Sequence, residues 1–505
     1  MPAGLTSKLN ILQRSPHDAS PCSNGTSNGA SQKPARVRWL PSRYTIRAVS
    51  EDGRLVLWNT KSGSMNLFEA DQRPQIETLL KRSGVVAERK GLIKYLHQRG
   101  YLIREEVDEY QQVELAFGQQ HYRTDVLELI LLASEDCNFR CEYCYEKFER
   151  GTMRPEVRQA VRRLVEKRIG KLNHLHTSWF GGEPLYGFAA IEELAPFFAN
   201  IAKEHDISHT SHITSNGYLL TSEVSAKLLE WGVGSYQITI DGTPDDHNRT
   251  RPTREGGETF HVIFENLKAL ARHDNNDFVV DIRVNFDQNN HKRLTSFLDL
   301  LETEFGNDSR FRLRFRAVGK LGGPNDEDLA ICGLKESDRI IREVRAEAKR
   351  RGLNISDPLK EASGLGSQVC YAARPFNYII GADGQVMKCT VDLDAKDRNV
   401  VGQLTADGDL ELNANYALWT EPAFQHDTKC QKCVVLPVCQ GISCPQIRFD
   451  EGISPCTPLR RTAKYELLST LANQEEKGRT VQVGASGPVP SASSEKSHQT
   501  LVAGG

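Results

Sequence analysis

Twelve cysteines, very unevenly placed, constrain this chain more than any other feature. Cys137, Cys141 and Cys144 fall within eight residues, and seven more, Cys370, Cys389, Cys430, Cys433, Cys439, Cys444 and Cys456, crowd residues 370–456. Cys22 and Cys332 stand alone. The N-terminal stretch MPAGLTSKLNILQRSPHD lacks the apolar core of a secretory signal, so a reduced, cytoplasmic setting is expected. There, clustered thiols serve as metal ligands more often than as disulfides. A secreted disulfide scaffold is thus disfavoured.

Composition excludes two further classes. Lys+Arg number 64 against Asp+Glu 66, a net charge of −2, which gives no general attraction to nucleic acid or to an anionic membrane. No apolar run approaches the roughly 18–20 residues of a membrane span. The expected partners therefore include neither nucleic acid nor membrane.

Residues 1–40 and 476–505 are rich in Ser, Pro, Asn and Gly and lack periodicity, which predicts disordered tails, with Cys22 in the first. Residues 41–120 read as a small domain. Three short strand-like runs, RYTIRAV, RLVLWN and SMNLF, are separated by turn residues. Helical patterns follow at Asp71–Arg82 and Val86–Gln98, which together suggest a winged-helix-like unit.

Residues 121–340 alternate. Strand-like runs at 126–134, 176–181, 212–217, 236–241, 278–286 and 312–319 are separated by helical segments such as Pro155–Arg168 and Ser222–Trp231. That pattern predicts an α/β fold with a parallel sheet, a partial (β/α)6 barrel or an open sheet. Its functional loops would follow the strands' C-terminal ends. Residues 341–475 are expected to be a linker and a Cys-rich domain. Between Val369 and Pro458 the apolar runs are short, predicting too little core without a metal staple. A last helix is expected over Arg461–Leu471.

The first cluster reads CNFRCEYCYE, directly after the first of these strands. Three thiolates are the informative count. A structural zinc site closes with four ligands. A cubane iron–sulfur cluster takes one cysteine per iron, so three leave one iron open to an outside ligand. A zinc site with a distant fourth ligand is the alternative.

This spacing, with Tyr143 before the last cysteine, resembles the radical S-adenosylmethionine (radical SAM) enzymes. Further matches follow in order: Phe180-Gly181-Gly182-Glu183-Pro184 resembles the GGEP motif, Ser215-Asn216-Gly217 the TNG segment, and Thr239-Ile240-Asp241-Gly242 the SLDG segment. His247, Arg251, Arg283 and Asn285 also fit. The resemblance implies that Cys137, Cys141 and Cys144 hold a 4Fe–4S cluster whose open iron chelates the SAM methionine moiety. It also implies reductive cleavage of SAM to a 5′-deoxyadenosyl radical that abstracts substrate hydrogen. Gly181 and Gly182 would let backbone approach a ligand. Glu183, beside Pro184, would accept from the SAM ammonium. Tyr143 would pack on adenine. Ser215, Thr239, Asn216 and Arg283 would supply polar contacts, and Asp241 would shape its loop or contact the cofactor.

The second cluster resembles a SPASM domain, which holds two auxiliary 4Fe–4S clusters. By position, Cys430, Cys433, Cys439 and Cys456 would hold one, and Cys370, Cys389 and Cys444 the other. The spacing before Cys444 is one residue longer than usual. Eight cysteines would close two clusters and seven are present, so a non-cysteine ligand or an open iron is expected. Cys332 reads as a core thiol. Zinc knuckles are the alternative. Asp383, before Gly384, is a candidate catalytic base or an ordinary turn residue.

The N-terminal unit resembles the peptide-recognition element of enzymes that modify ribosomally made peptides. The implied partners are a precursor peptide with a leader and a reductase or a flavodoxin or ferredoxin as electron donor. The expected product is a thioether or carbon–carbon cross-link. Epimerisation, cleavage or residue oxidation remain open, as do a sulfatase-maturase-type formylglycine-generating enzyme, a quinoprotein-subunit maturase, and a non-catalytic iron–sulfur sensor or scaffold.

Overall fold

Alternation decides the central sheet, because each strand buries one face under helices. The computed structural model describes residues 36–393 and 397–476. Most of both expected tails, with Cys22, lies outside the described residues.

The N-terminal strands are β1 (Val37–Pro41), β2 (Thr45–Val49), β3 (Leu55–Asn59), β4 (Met65–Phe68), β5 (Val85–Ala87) and β6 (Leu102–Arg104). The expected meander is present as the antiparallel sheet β2-β3-β4. Two expectations are corrected. Residues 37–40 belong to β1 rather than to a tail, because Trp39 is buried and β1 pairs with both β5 and β6. The stretch 86–98 is not one helix. Val85 and Val86, β-branched, extend along β1, and the helix starts at Gly91, whose φ of +52° suits glycine.

The central strands are β7 (Val126–Ser134), β8 (His174–Gly181), β9 (Ser208–Ser215), β10 (Val233–Thr239), β11 (Val279–Phe286) and β12 (Phe311–Ala317). They are parallel and neighbour one another in chain order. The helices Pro155–Arg168, Phe188–Glu204, Ser222–Glu230, Phe260–Ala271 and Leu294–Phe305 run between them. Apolar faces such as Val161, Leu164, Phe198 and Phe297 join the strand residues Leu129, Trp179, Ile213 and Ile282 in the main core.

The sheet does not end at β7. Strand β13 (Asn377–Ile380) pairs parallel with it, Asn377 opposite Glu128. Then β14 (Gln385–Met387), β15 (Val400–Leu404) and β16 (Leu410–Leu412) extend the sheet antiparallel to ten strands. The expectation of a coreless Cys-rich segment is therefore corrected. Ile379, Ile380, Met387, Val401 and Trp419 are buried in the same core as Leu129 and Leu131. The helix Leu334–Arg350 runs across the boundary placed at residue 341.

The N-terminal unit shares a second core with the C-terminal segment. Ile46, Val56, Trp58 and Leu67 pack with Val435, Val438, Cys439, Leu459, Ala463 and Leu467, the last three on the helix Leu459–Glu476. Thr60 donates to Val434 O at 2.6 Å across the same contact. Removing residues 1–120 would thus strip apolar cover from the cysteine segment. Trp58→Ala should cost about 3–5 kcal/mol in reversible denaturation and loosen both segments together. Loosening of the N-terminal unit alone would contradict the shared core. Among the described residues no helix is long and apolar enough to cross a membrane.

Candidate active site

The C-terminal ends of β7 to β11 gather the motif residues at one end of the sheet. The loop after β7 carries Cys137, Cys141 and Cys144, all free thiols. Its backbone is held from several sides. Cys137 O accepts from Arg140 Nη1 at 2.8 Å and Arg254 Nη2 at 2.9 Å. Arg254 also binds Asp136, whose Oδ1 accepts from Cys137 N at 2.8 Å. Arg140 N donates to Pro252 O and Glu142 N to Thr250 O. These tethers hold the loop without using the thiols.

The sulfurs lie in one another's fields. Burial, with Glu183 next in effect, pushes Cys137 up, and burial pushes Cys144 up to about 12. Metal binding must displace those protons. Phe139 N donates to Cys137 Sγ at 3.3 Å and Asn216 Nδ2 approaches it at 3.8 Å, contacts that favour sulfur carrying negative charge.

The two glycines of the GGEP segment make close approaches to the chain itself. Gly181 has φ +127°, and a Cβ there would stand 2.0 Å from Ser134 O. At Gly182 a Cβ would stand 2.7 Å from Asp136 O and 3.1 Å from Cys137 Cβ. Gly182 N donates to Ser134 O and Glu183 N to Asp136 O, both at 3.0 Å. This segment thus seats the cysteine loop. Pro184 opens the turn Pro184–Gly187 that follows.

Glu183 is wholly buried. Its carboxylate accepts from Leu185 N at 3.0 Å, Ser215 Oγ at 2.8 Å and Asn216 N at 2.7 Å. A carboxylate offers about four acceptor positions, so one is left for a ligand. Burial lifts its pKa to about 6 against those three bonds. Ser215 is spent inside the protein: its hydroxyl donates to Glu183 and accepts from Gly217 N. Asn216 is spent on the cysteine loop, through Asn138 at 2.8 Å.

Tyr143 and Asp241 also face each other. Tyr143 Oη donates to Asp241 Oδ2 at 2.5 Å and accepts from Arg251 Nη1 at 2.7 Å and Asn285 Nδ2 at 2.9 Å. Thr250 Oγ1 adds a bond to Asp241 Oδ2, and Asn285 N one to Oδ1. Burial raises the Asp241 pKa, with Arg251 opposing. His247 Nδ1 accepts from Asp241 N at 3.2 Å, and burial holds the imidazole neutral. This network ties the loop after β7 to β10 and β11. The Thr239 hydroxyl, nearby, has no partner among the described residues. Arg283 Nε donates to Asn285 Oδ1 at 2.9 Å.

The remaining cysteines fall into two groups. Cys430, Cys433, Cys439 and Cys456 line one small cavity with Leu436, Gly441 and Arg460, and Arg460 Nη1 donates to Cys456 Sγ at 2.8 Å. A Cβ at Gly441 would lie 3.2 Å from Cys430 Sγ. Cys370 lies in the field of Cys444, and Cys389 in that of Cys370. Tyr145 has both Cys144 and Cys389 in its surroundings. Cys332 is buried in the main core. Asp383 sits half-buried in the β13–β14 turn, its Oδ1 accepting from Gln385 N at 3.1 Å. Its neighbour Glu135 accepts from Ala382 N and Arg150 and so ties that turn to the end of β7.

A donor set made of free cysteine thiols is of the kind that iron–sulfur clusters use. Among the described residues no three His, Cys, Asp or Glu side chains converge to hold one ion. In a cubane each thiolate meets its own iron, so its ligands stand wider apart. Sequence reasoning missed Asn138, Thr250, Arg254 and Tyr145. Asn138 and Tyr145 lie within or beside CNFRCEYC, where their position was the available signal.

Residues 131–301 match the Radical SAM superfamily. The chain is 24% identical over 275 residues to the radical SAM cyclopropyl synthase TigE of Paramaledivibacter caminithermalis, covering 47% of this chain and 55% of that protein. It is 22% identical over 382 residues to a cysteine-type anaerobic sulfatase-maturating enzyme of Clostridium novyi, covering 67% of this chain and 98% of that one. Its fold matches the solved structure of native anSMEcpe with bound AdoMet and Cp18Cys peptide, with TM-score 0.51 and 18% identity over 70% of this chain and 99% of that one.

Proposed function

We propose, from the premise that this chain is a radical SAM superfamily enzyme, that it matures a ribosomally made peptide by forming a thioether or carbon–carbon cross-link. Cys137, Cys141 and Cys144 would hold the SAM-binding 4Fe–4S cluster. Cys430, Cys433, Cys439 and Cys456 would hold one auxiliary cluster, and Cys370, Cys389 and Cys444 another. When bound and reduced, the first cluster supplies the electron that cleaves SAM to methionine and a 5′-deoxyadenosyl radical. A flavodoxin, ferredoxin or reductase would deliver that electron.

The chain's own residues do the rest. Glu183 offers its remaining acceptor position to the SAM ammonium, and Thr239 offers a hydroxyl. Tyr143, Asp241, Asn285 and Arg251 hold the cysteine loop against β10 and β11. Arg283 contributes a guanidinium to the same end of the sheet. Asp383 is the proposed base, its second carboxylate oxygen being without a partner among the described residues. Binding of a cation at Glu183 needs the carboxylate ionised. SAM affinity should therefore fall as pH drops through about 6, by up to about tenfold per unit. Calorimetric titration of reconstituted protein from pH 8 to 5 checks this, and an unchanged slope in Glu183→Gln would contradict it.

The observation that carries the peptide substrate is the N-terminal unit docked on the auxiliary cysteine segment through a shared core. Its sheet β5-β1-β6 has an open edge at β5, where Val86 is 61% exposed. An extended leader could add there by strand pairing. Val86→Asp should cut modification of a leader-bearing peptide about tenfold while 5′-deoxyadenosine formation continues. Full modification by that variant would sink the leader assignment. A second reading, oxidation of Cys or Ser in a protein to formylglycine, is supported by the alignment across 98% of the Clostridium novyi enzyme. Product mass separates a cross-link, which removes about 2 Da, from oxidation of Cys, which removes about 18 Da; oxidation of Ser also removes about 2 Da, and fragmentation then places that loss on one residue rather than across two.

A further inference from the structure

On β12 the apolar residues Phe311, Leu313 and Phe315 enter the main core, and Arg312, Arg314 and Arg316 alternate to the opposite face. The three arginines differ in what they meet. Arg312 grips Asp281 with two bonds of 3.0 and 2.9 Å. Arg314 binds Glu361 at 2.8 Å and lies 3.9 Å from Asp281. Arg316, nearest the C-terminal end, has no hydrogen-bond or ion-pair partner among the described residues and is open to solvent. The titratable groups around it are Arg283, Arg314 and Cys444.

Its position is informative. Across the ladder Arg316 stands opposite Asn285, whose amide binds Tyr143 and Asp241. Cys444, grouped with Cys370 and Cys389, is also within electrostatic reach of it. Arg316 therefore stands near both the network that holds the cysteine loop after β7 and Cys444. Its guanidinium is exposed and without a protein partner among the described residues, so it is open to an incoming anion. A carboxylate suits it because the planar fork takes two oxygens at once.

We infer that Arg316, with Arg283 beside it, binds a carboxylate of the peptide substrate and so selects an acidic residue, or the chain terminus, next to the position modified. The inference rests on the peptide reading above. It names the carboxylate, which an Asp or Glu side chain or a C-terminus can supply.

The test uses reconstituted holoenzyme with SAM and three probes: N-acetyl-Gly-Asp-Gly amide, N-acetyl-Gly-Asn-Gly free acid, and N-acetyl-Gly-Asn-Gly amide. Affinities are read by saturation-transfer NMR. At least one acid should bind about tenfold or more tighter than the neutral amide, the scale of one charge-assisted hydrogen bond. Which acid wins identifies the source of the carboxylate. Arg316→Gln should abolish the preference and Arg316→Lys should retain part of it. Equal affinities in the wild type, a preference untouched in Arg316→Gln, or no acid preference up to the solubility limit would each overturn the inference. So would a shifted cluster potential in Arg316→Gln with acid preference intact, which would make Arg316 a counter-charge for the cluster. 5′-Deoxyadenosine from the same wild-type samples reads the underlying activity separately. Its absence alongside a clear acid preference would support the carboxylate site while overturning the radical reading.

Discussion

Replacing Cys137, Cys141 and Cys144 together by alanine should lower iron from about twelve to about eight per chain and reduce 5′-deoxyadenosine formation to background. The fold should survive. Arg140 and Arg254 hold the loop through Cys137 O, and Asn216 holds it through Asn138. None of these bonds uses a thiol. Circular dichroism and thermal unfolding of the variant should thus match the untreated apoprotein. Iron retained near twelve would contradict the assignment of these three cysteines. A count near four would mean that the Cys370, Cys389 and Cys444 group, one cysteine short, does not assemble.

The second large effect belongs to the glycines. Gly182→Ala would place a methyl 2.7 Å from Asp136 O and 3.1 Å from Cys137 Cβ. The relief available is outward movement of the cysteine loop. A displacement of about 1 Å in a catalytic loop costs about a hundredfold in rate, so 5′-deoxyadenosine formation should fall by that order with iron largely retained. Gly181→Ala differs in kind. Its φ of +127° and a methyl 2.0 Å from Ser134 O attack the β7–β8 pairing itself. Strain and overpacking of about 1–3 kcal/mol each should appear as lost stability before lost chemistry. Denaturation midpoints and turnover, measured on both variants, separate these outcomes.

The central strands were legible because their residues alternate or run apolar between helices, and β7 coincides with its sequence assignment, residues 126–134. β13 was not, because four residues amid cysteines carry no periodicity, and their partner is β7, far away in the chain. β5 was missed for a related reason: Val85 and Val86 continue a helical pattern, and the pairing with β1 overrides it. At the site, spacing brought the motif residues together without fixing what each side chain meets. Ser215, Asn216, Tyr143 and Asp241 were expected to face a cofactor. Their hydrogen bonds run to one another and to the cysteine loop. A sequence shows which donors exist, whereas which of them the chain itself consumes depends on distances set by strand register. The four thiols around one cavity are the four that the resemblance to a SPASM domain grouped.

The most direct measurement is product formation by the wild-type chain. Protein reconstituted anaerobically with iron and sulfide is mixed with SAM and dithionite, and methionine and 5′-deoxyadenosine are quantified together. The expected result is both products in equal amounts, dependent on dithionite and absent in the Cys137/Cys141/Cys144→Ala protein. Fully assembled clusters with no 5′-deoxyadenosine would contradict radical SAM chemistry at this site and leave an iron–sulfur scaffold in its place.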